Sequence, residues 1–124
     1  MAAAEPTRSG RAGKVAQEAN RNAGRPIDLV HLGRQTMGDR ALEEEILKLF
    51  ARQALSMRDD LMTATGTARL RLAHTLKGSA LSVGAFVLAE TVRRLELEPD
   101  NPAALDAVSA KVEEVSNFVA AISR

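Results

Sequence analysis

Apolar positions recur at steps of three and four along most of this chain, the spacing of helices that bury one face. From Asp39 onward, Leu42, Ile46, Leu49, Phe50, Ala54, Met57 and Leu61 follow that spacing. Asp39 is placed to cap their helix, and Glu43, Glu44 and Glu45 suit its positive N-terminal end. Upstream, Asp28 is a cap for a short helix through Leu29, Leu32 and Met37, which Gly38 breaks. After the turn Thr65-Gly66-Thr67, with Thr67 placed as a cap, a third helix is predicted from about Ala68 to Val83, and Gly84 punctuates it. A fourth, from Ala85, puts Leu88, Ala89, Val92 and Leu95 on one stripe. Asn101 as cap and Pro102 at the first helical position open the last helix, with Leu105, Val108, Val112, Val115, Val119 and Ile122 in register. The Val-rich stretches keep helical spacing, so no strand is predicted. Short connections between long amphipathic helices imply antiparallel neighbours. The expected fold is all-α, an antiparallel four-helix bundle with a short leading helix.

Residues 1–26 break the pattern. They carry Arg8, Arg11, Lys14, Arg21 and Arg25 against Glu5 and Glu18, a local charge of 5 − 2 = +3, with few large apolar residues. Such a segment buries too little surface to offset its ordering entropy, so it reads as a flexible basic tail ahead of a bundle over residues 27–124. The whole chain of 124 residues has a net charge of +1, which gives no pull toward nucleic acid or anionic lipid. Three Phe, with no Tyr or Trp, leave little for stacking on bases. The absence of Cys removes disulfides, thiol catalysis and Cys-based metal sites. The longest uncharged run, Gly78 to Ala89, is twelve residues, short of the roughly 20 that span a bilayer. No apolar leader is visible, so a cytoplasmic protein is expected.

The third helix holds the one anomalous face. On a wheel centred on His74, the residues Leu72, Ala73, Leu76, Ser79, Ala80 and Val83 fall on the opposite side as a core stripe. His74 then points outward, with Lys77 and Gly78 one turn on, Leu81 two turns on, and Leu70 and Arg71 one turn back. A mid-helix Gly costs about 1 kcal/mol relative to Ala, and Leu70 and Leu81 are large apolar residues on a face predicted to be wet. Together these residues describe an imidazole with a bare patch beside it, a cation close by and an apolar rim. That combination suits close approach by another protein, charge balance for a phosphoryl group, and docking area. His31 lacks such surroundings and reads as surface or partial packing. The two His and the scattered carboxylates show no ligand spacing for a metal.

The run His74-Thr75-Leu76-Lys77-Gly78-Ser79-Ala80 resembles the signature of histidine-containing phosphotransfer (HPt) domains of multistep phosphorelays. The resemblance continues through Val83-Gly84-Ala85, Leu88-Ala89 and Leu95-Glu96, and upstream through the acidic-starting helix with Phe50. It spans most of residues 27–124. It implies that His74 accepts a phosphoryl group from the aspartyl phosphate of a receiver domain and passes it to another, in a free-standing relay protein of two-component signalling. It implies that Lys77 balances charge on phosphohistidine, that Gly78 clears the approach, and that Leu70, Arg71 and Leu81 dock the partner. The partners implied are response-regulator receivers and the receiver of a hybrid histidine kinase. The receiver would supply Mg²⁺, so this chain needs no cofactor or metal, and one closed bundle suggests a monomer that binds neither nucleic acid nor membrane.

Three alternatives stand against this reading. A histidine kinase needs a Gly-rich nucleotide-binding segment that the sequence lacks, and its His is usually followed by an acidic residue where Thr75 stands. A sugar-phosphotransferase carrier is mixed α/β. A non-phosphorylated adaptor that sequesters a receiver or kinase needs no nucleophile, yet His74, Lys77 and Gly78 are all present.

Overall fold

The structure, a computed structural model, describes residues 24–123. Most of the tail read from the sequence, residues 1–26, lies outside the described residues; only 24–26 fall within them. Five helices follow in order: α1 (Leu29–Gln35), α2 (Arg40–Thr63), α3 (Gly66–Val83), α4 (Phe86–Leu97) and α5 (Pro102–Ile122). No strand occurs among the described residues. The long helices close a ring in which α2 packs on α3 and α5, and α4 packs on the same two. α1 lies across one end. The expected bundle with a short leading helix is therefore the observed architecture, and among the described residues no helix is long and apolar enough to cross a membrane.

Capping explains where each helix starts. The Asp28 carboxylate accepts from the Val30 and His31 amides at 3.0 and 3.1 Å, and Asp39 accepts from the Leu42 amide at 3.1 Å. The Asn101 side chain accepts from Ala103 at 2.9 Å, with Pro102 at the first position of α5. α3 differs from expectation. It begins at Gly66, two residues early, and Thr65 rather than Thr67 takes the cap position without a side-chain bond. Gly66, at φ +56°, lets the chain turn directly into the helix. The work of holding that loop falls to Arg69, which donates from Nε to the Ala64 carbonyl at 2.8 Å and from Nη1 to the Pro99 carbonyl at 2.6 Å. One guanidinium thus ties the α2–α3 and α4–α5 loops together.

The core is Leu47, Phe50, Ala51, Ala54 and Leu61 from α2, Ala73, Leu76, Ala80 and Val83 from α3, Leu88, Ala89, Val92 and Leu95 from α4, and Val108, Val112, Val115 and Val119 from α5, all buried. The sequence pattern is corrected here at several positions. Leu42 and Leu49 are exposed, while Leu47 and Ala51, absent from the predicted stripe, are buried. α2 carries two apolar rows with the same seven-residue step, Leu42–Leu49 and Leu47–Ala54–Leu61, and spacing alone does not say which row faces inward. Met37 lies beyond the end of α1, 95% exposed at φ 55°, where it and Gly38 reverse the chain into α2. Ile122, at the last turn of α5, is also exposed.

The α3–α4 corner is a two-residue junction. Gly84 ends α3 at φ 88°, and the Ala85 amide donates to the Ala80 carbonyl at 2.8 Å. α1 is fastened over this corner by the Asp28 amide, which donates to the Gly84 carbonyl at 2.9 Å, and by His31, whose Nε2 donates to the Ser82 carbonyl at 3.3 Å. The His31 ring meets the edge of Phe86 at a centroid distance of 5.1 Å. A Cβ on Gly84 would lie 3.0 Å from the Asp28 carbonyl oxygen and 3.1 Å from His31 Cδ2.

Candidate functional site

The core stripe of α3, Ala73, Leu76, Ala80 and Val83, fixes the rotation of that helix, and the rotation decides what faces out. His74 stands on the outer face with its side chain 76% exposed. Leu70, Arg71, Gly78 and Leu81 are exposed on the same helix at positions −4, −3, +4 and +7 from it, so they share its face. Lys77 lies at the boundary with α4, half-buried. Leu72 and Ser79 are half-buried on the other flank.

The decisive partner comes from α4. Leu88, Ala89, Val92 and Leu95 turn that helix so that Glu96, next in sequence to a core leucine, sits half-buried against α3. One carboxylate oxygen accepts from His74 Nδ1 at 3.1 Å, and the other accepts from Lys77 Nζ at 2.6 Å. Partial burial pushes the Glu96 carboxyl up, but the hydrogen bonds from Lys77 and His74 and their charges outweigh it and hold the group below its ordinary value. An ionised carboxylate only accepts hydrogen bonds, so Nδ1 carries the ring proton. In the neutral form of the ring the lone pair is then on Nε2, which makes no hydrogen bond among the described residues. The arrangement selects one tautomer of the neutral imidazole, the one with its nucleophilic lone pair on Nε2, with a cation one turn away. His31, the other histidine in the chain, is engaged through Nε2 and packed on Phe86.

Gly78 gives a second signal. A Cβ built there meets nothing within 4 Å. Neither packing nor backbone conformation in this chain demands glycine at that point, although the helix is weaker for it. Among the described residues, no group of three His, Asp or Glu side chains is placed to hold a metal ion.

A family model for the Hpt domain matches residues 44–118, from the second turn of α2 to near the end of α5. The chain belongs to the Hpt domain family. No curated protein sequence and no solved structure matches it. Hpt domains are carrier modules: they hold a phosphoryl group as phosphohistidine in two-component phosphorelays and exchange it with receiver domains. Within this Hpt domain the sequence-derived residues His74, Lys77, Gly78, Leu70, Arg71 and Leu81 all lie on α3. The residue that sequence reasoning passed over is Glu96. It appeared there only as part of a family pattern, and its one chemical signal was a carboxylate adjoining the apolar stripe of the fourth helix.

Proposed function

We propose that this Hpt domain is a free-standing relay protein of the cytoplasm, acting as a monomer, and that His74 is its phosphorylated residue. The observation that carries the reading is the His74–Glu96 hydrogen bond, which in the neutral ring puts the proton on Nδ1 and the lone pair on Nε2. Nε2 attacks the phosphorus of a receiver's aspartyl phosphate, and the reverse step hands the group to a second receiver. Phosphoryl transfer asks mainly for in-line positioning and charge stabilisation, and the receiver brings the divalent cation. Lys77 supplies a local positive charge. Gly78 leaves room for the receiver's backbone to approach, and Leu70, Arg71 and Leu81 form the rim on which it rests. One receiver is that of a hybrid kinase, and the other that of a response regulator.

Incubation with a receiver charged with acetyl phosphate tests this. The expected result is an acid-labile, base-stable label on this chain, lost in His74→Gln while helicity is unchanged. Binding without label would identify an adaptor instead.

A further inference from the structure

The end of the bundle that α1 crosses is not closed. An open cleft of about 570 Å³ lies between α1, the first turns of α2 and the last turn of α5. Leu29, Val30, Leu47 and Ile122 wall it, and of these Val30 and Ile122 are exposed. Glu43 and Glu44 stand on its rim. Over residues 39–48, α2 carries Asp39, Glu43, Glu44 and Glu45 against Arg40 and Lys48, a local charge of 2 − 4 = −2. Lys48 is held by Glu44 at 2.8 Å, whereas Glu43 makes no ion pair among the described residues. α5 ends here with no basic residue in its last turn, so the negative end of its dipole meets no cation of its own. Ser123, also on the lining, has its hydroxyl oxygen buried with no hydrogen-bond partner among the described residues. An apolar wall, an acidic rim and an unmatched helix end suit a basic segment with a short apolar row.

Such a segment precedes Gly24 in this chain. Ala12, Val15, Ala16 and Ala19 stand at i, i+3, i+4 and i+7, the spacing of one helix face. Arg11, Lys14 and Arg21 against Glu18 give residues 11–21 a charge of 3 − 1 = +2, opposite to that of the α2 start. We propose that residues 11–21 seat this row in the cleft of their own chain, with their cations against the acidic rim and the end of α5. The tether fits. Gly24 and Pro26 lie against Val87 and Leu88 of α4 and Val115 of α5, where the chain enters the bundle. Leu29, on the cleft wall, is five residues past Gly24 and so within about 17 Å of it, and the five steps from Ala19 to Gly24 can span the same distance. A short tether holds the segment at an effective concentration in the millimolar range, so a small apolar row suffices where a free peptide of this composition would not bind. The seat covers Val30 of α1 and lies away from the α3–α4 face that carries His74. It goes beyond the relay reading and does not depend on it.

The chain has no Cys, so Gln17→Cys, opposite the apolar row, gives a single site for a nitroxide label. In NMR of the full chain, the amides of Val30, Gly38, Leu47 and Ile122 lose intensity relative to the reduced label, and those around His74 do not. Ile122→Lys, at an exposed position, restores the lost intensity, and so does Glu43→Lys combined with Glu44→Lys. No loss at these amides, a loss centred on another face, or a loss unchanged in both variants overturns the seat. Mixing the spin-labelled chain with isotope-labelled wild type identifies the other occupant: a loss in the mixture assigns the cleft to the segment of a second copy and overturns docking within one chain. His74 still takes its phosphoryl label in each of these variants, so the seat and the relay fail separately.

Discussion

Gly78 is the residue whose cost is easiest to measure. Its missing side chain faces open space, so Gly78→Ala should stabilise the helix by about 1 kcal/mol and raise the melting temperature by about 4 °C. Gly78→Leu should stabilise α3 similarly but stop transfer from a charged receiver; a relay at the wild-type rate would show that nothing approaches there. Glu96 makes the complementary prediction. Its carboxyl is depressed in the folded state, so the stability it contributes is present above the ordinary value near 4.5 and lost as the pH falls through the lower folded value. Denaturant melts of Glu96→Gln and wild type should therefore differ at pH 7 and converge in acid. These two residues also mark how far the sequence could be read. His74, Lys77 and Gly78 lie within five positions on one helix, and a wheel places them together. Glu96 lies 22 positions from His74, and only the packing of α4 on α3 brings its carboxylate to the ring.

Among the elements, α5, apart from exposed Ile122 in its last turn, and α4 were legible because each carries one apolar row, bounded by Pro102 with Asn101 in one case and by Gly84 in the other. α2 was legible as a helix but not in its rotation, since two apolar rows share the same step and only one meets its neighbours. The start of α3 was misplaced because its loop is held by a side chain rather than by a cap. That difference is testable. Arg69→Ala leaves two loop carbonyls without their charged donor and should cost about 2 kcal/mol in a urea titration, with His74 still labelled under folding conditions. At the other end, Gly84→Ala combines a left-handed backbone with contacts of 3.0 and 3.1 Å. It should cost at least about 1 kcal/mol, seen as a lower denaturation midpoint.

For the molecule as a whole, the ring of four helices puts the site on one side and the α2–α5 seam away from it. Addition of a receiver should perturb amide resonances around Leu70, Arg71, Gly78 and Leu81 and leave those of Val115 to Ala120 unchanged. Perturbation centred on α5 would move the docking surface. The Gly84 corner gives this geometry a mechanical side. The histidine and its carboxylate belong to different helices, and the only covalent joint between those helices is a two-residue elbow pinned by α1, some 14 Å along α3 from His74 at about 1.5 Å per residue. Any change that lets α4 roll against α3 at that elbow swings the Glu96 oxygen away from Nδ1 and frees the ring to shift its proton. Transfer speed is in this sense geared to a remote joint, and an evolving lineage has a dial for the chemistry that leaves every reacting group untouched.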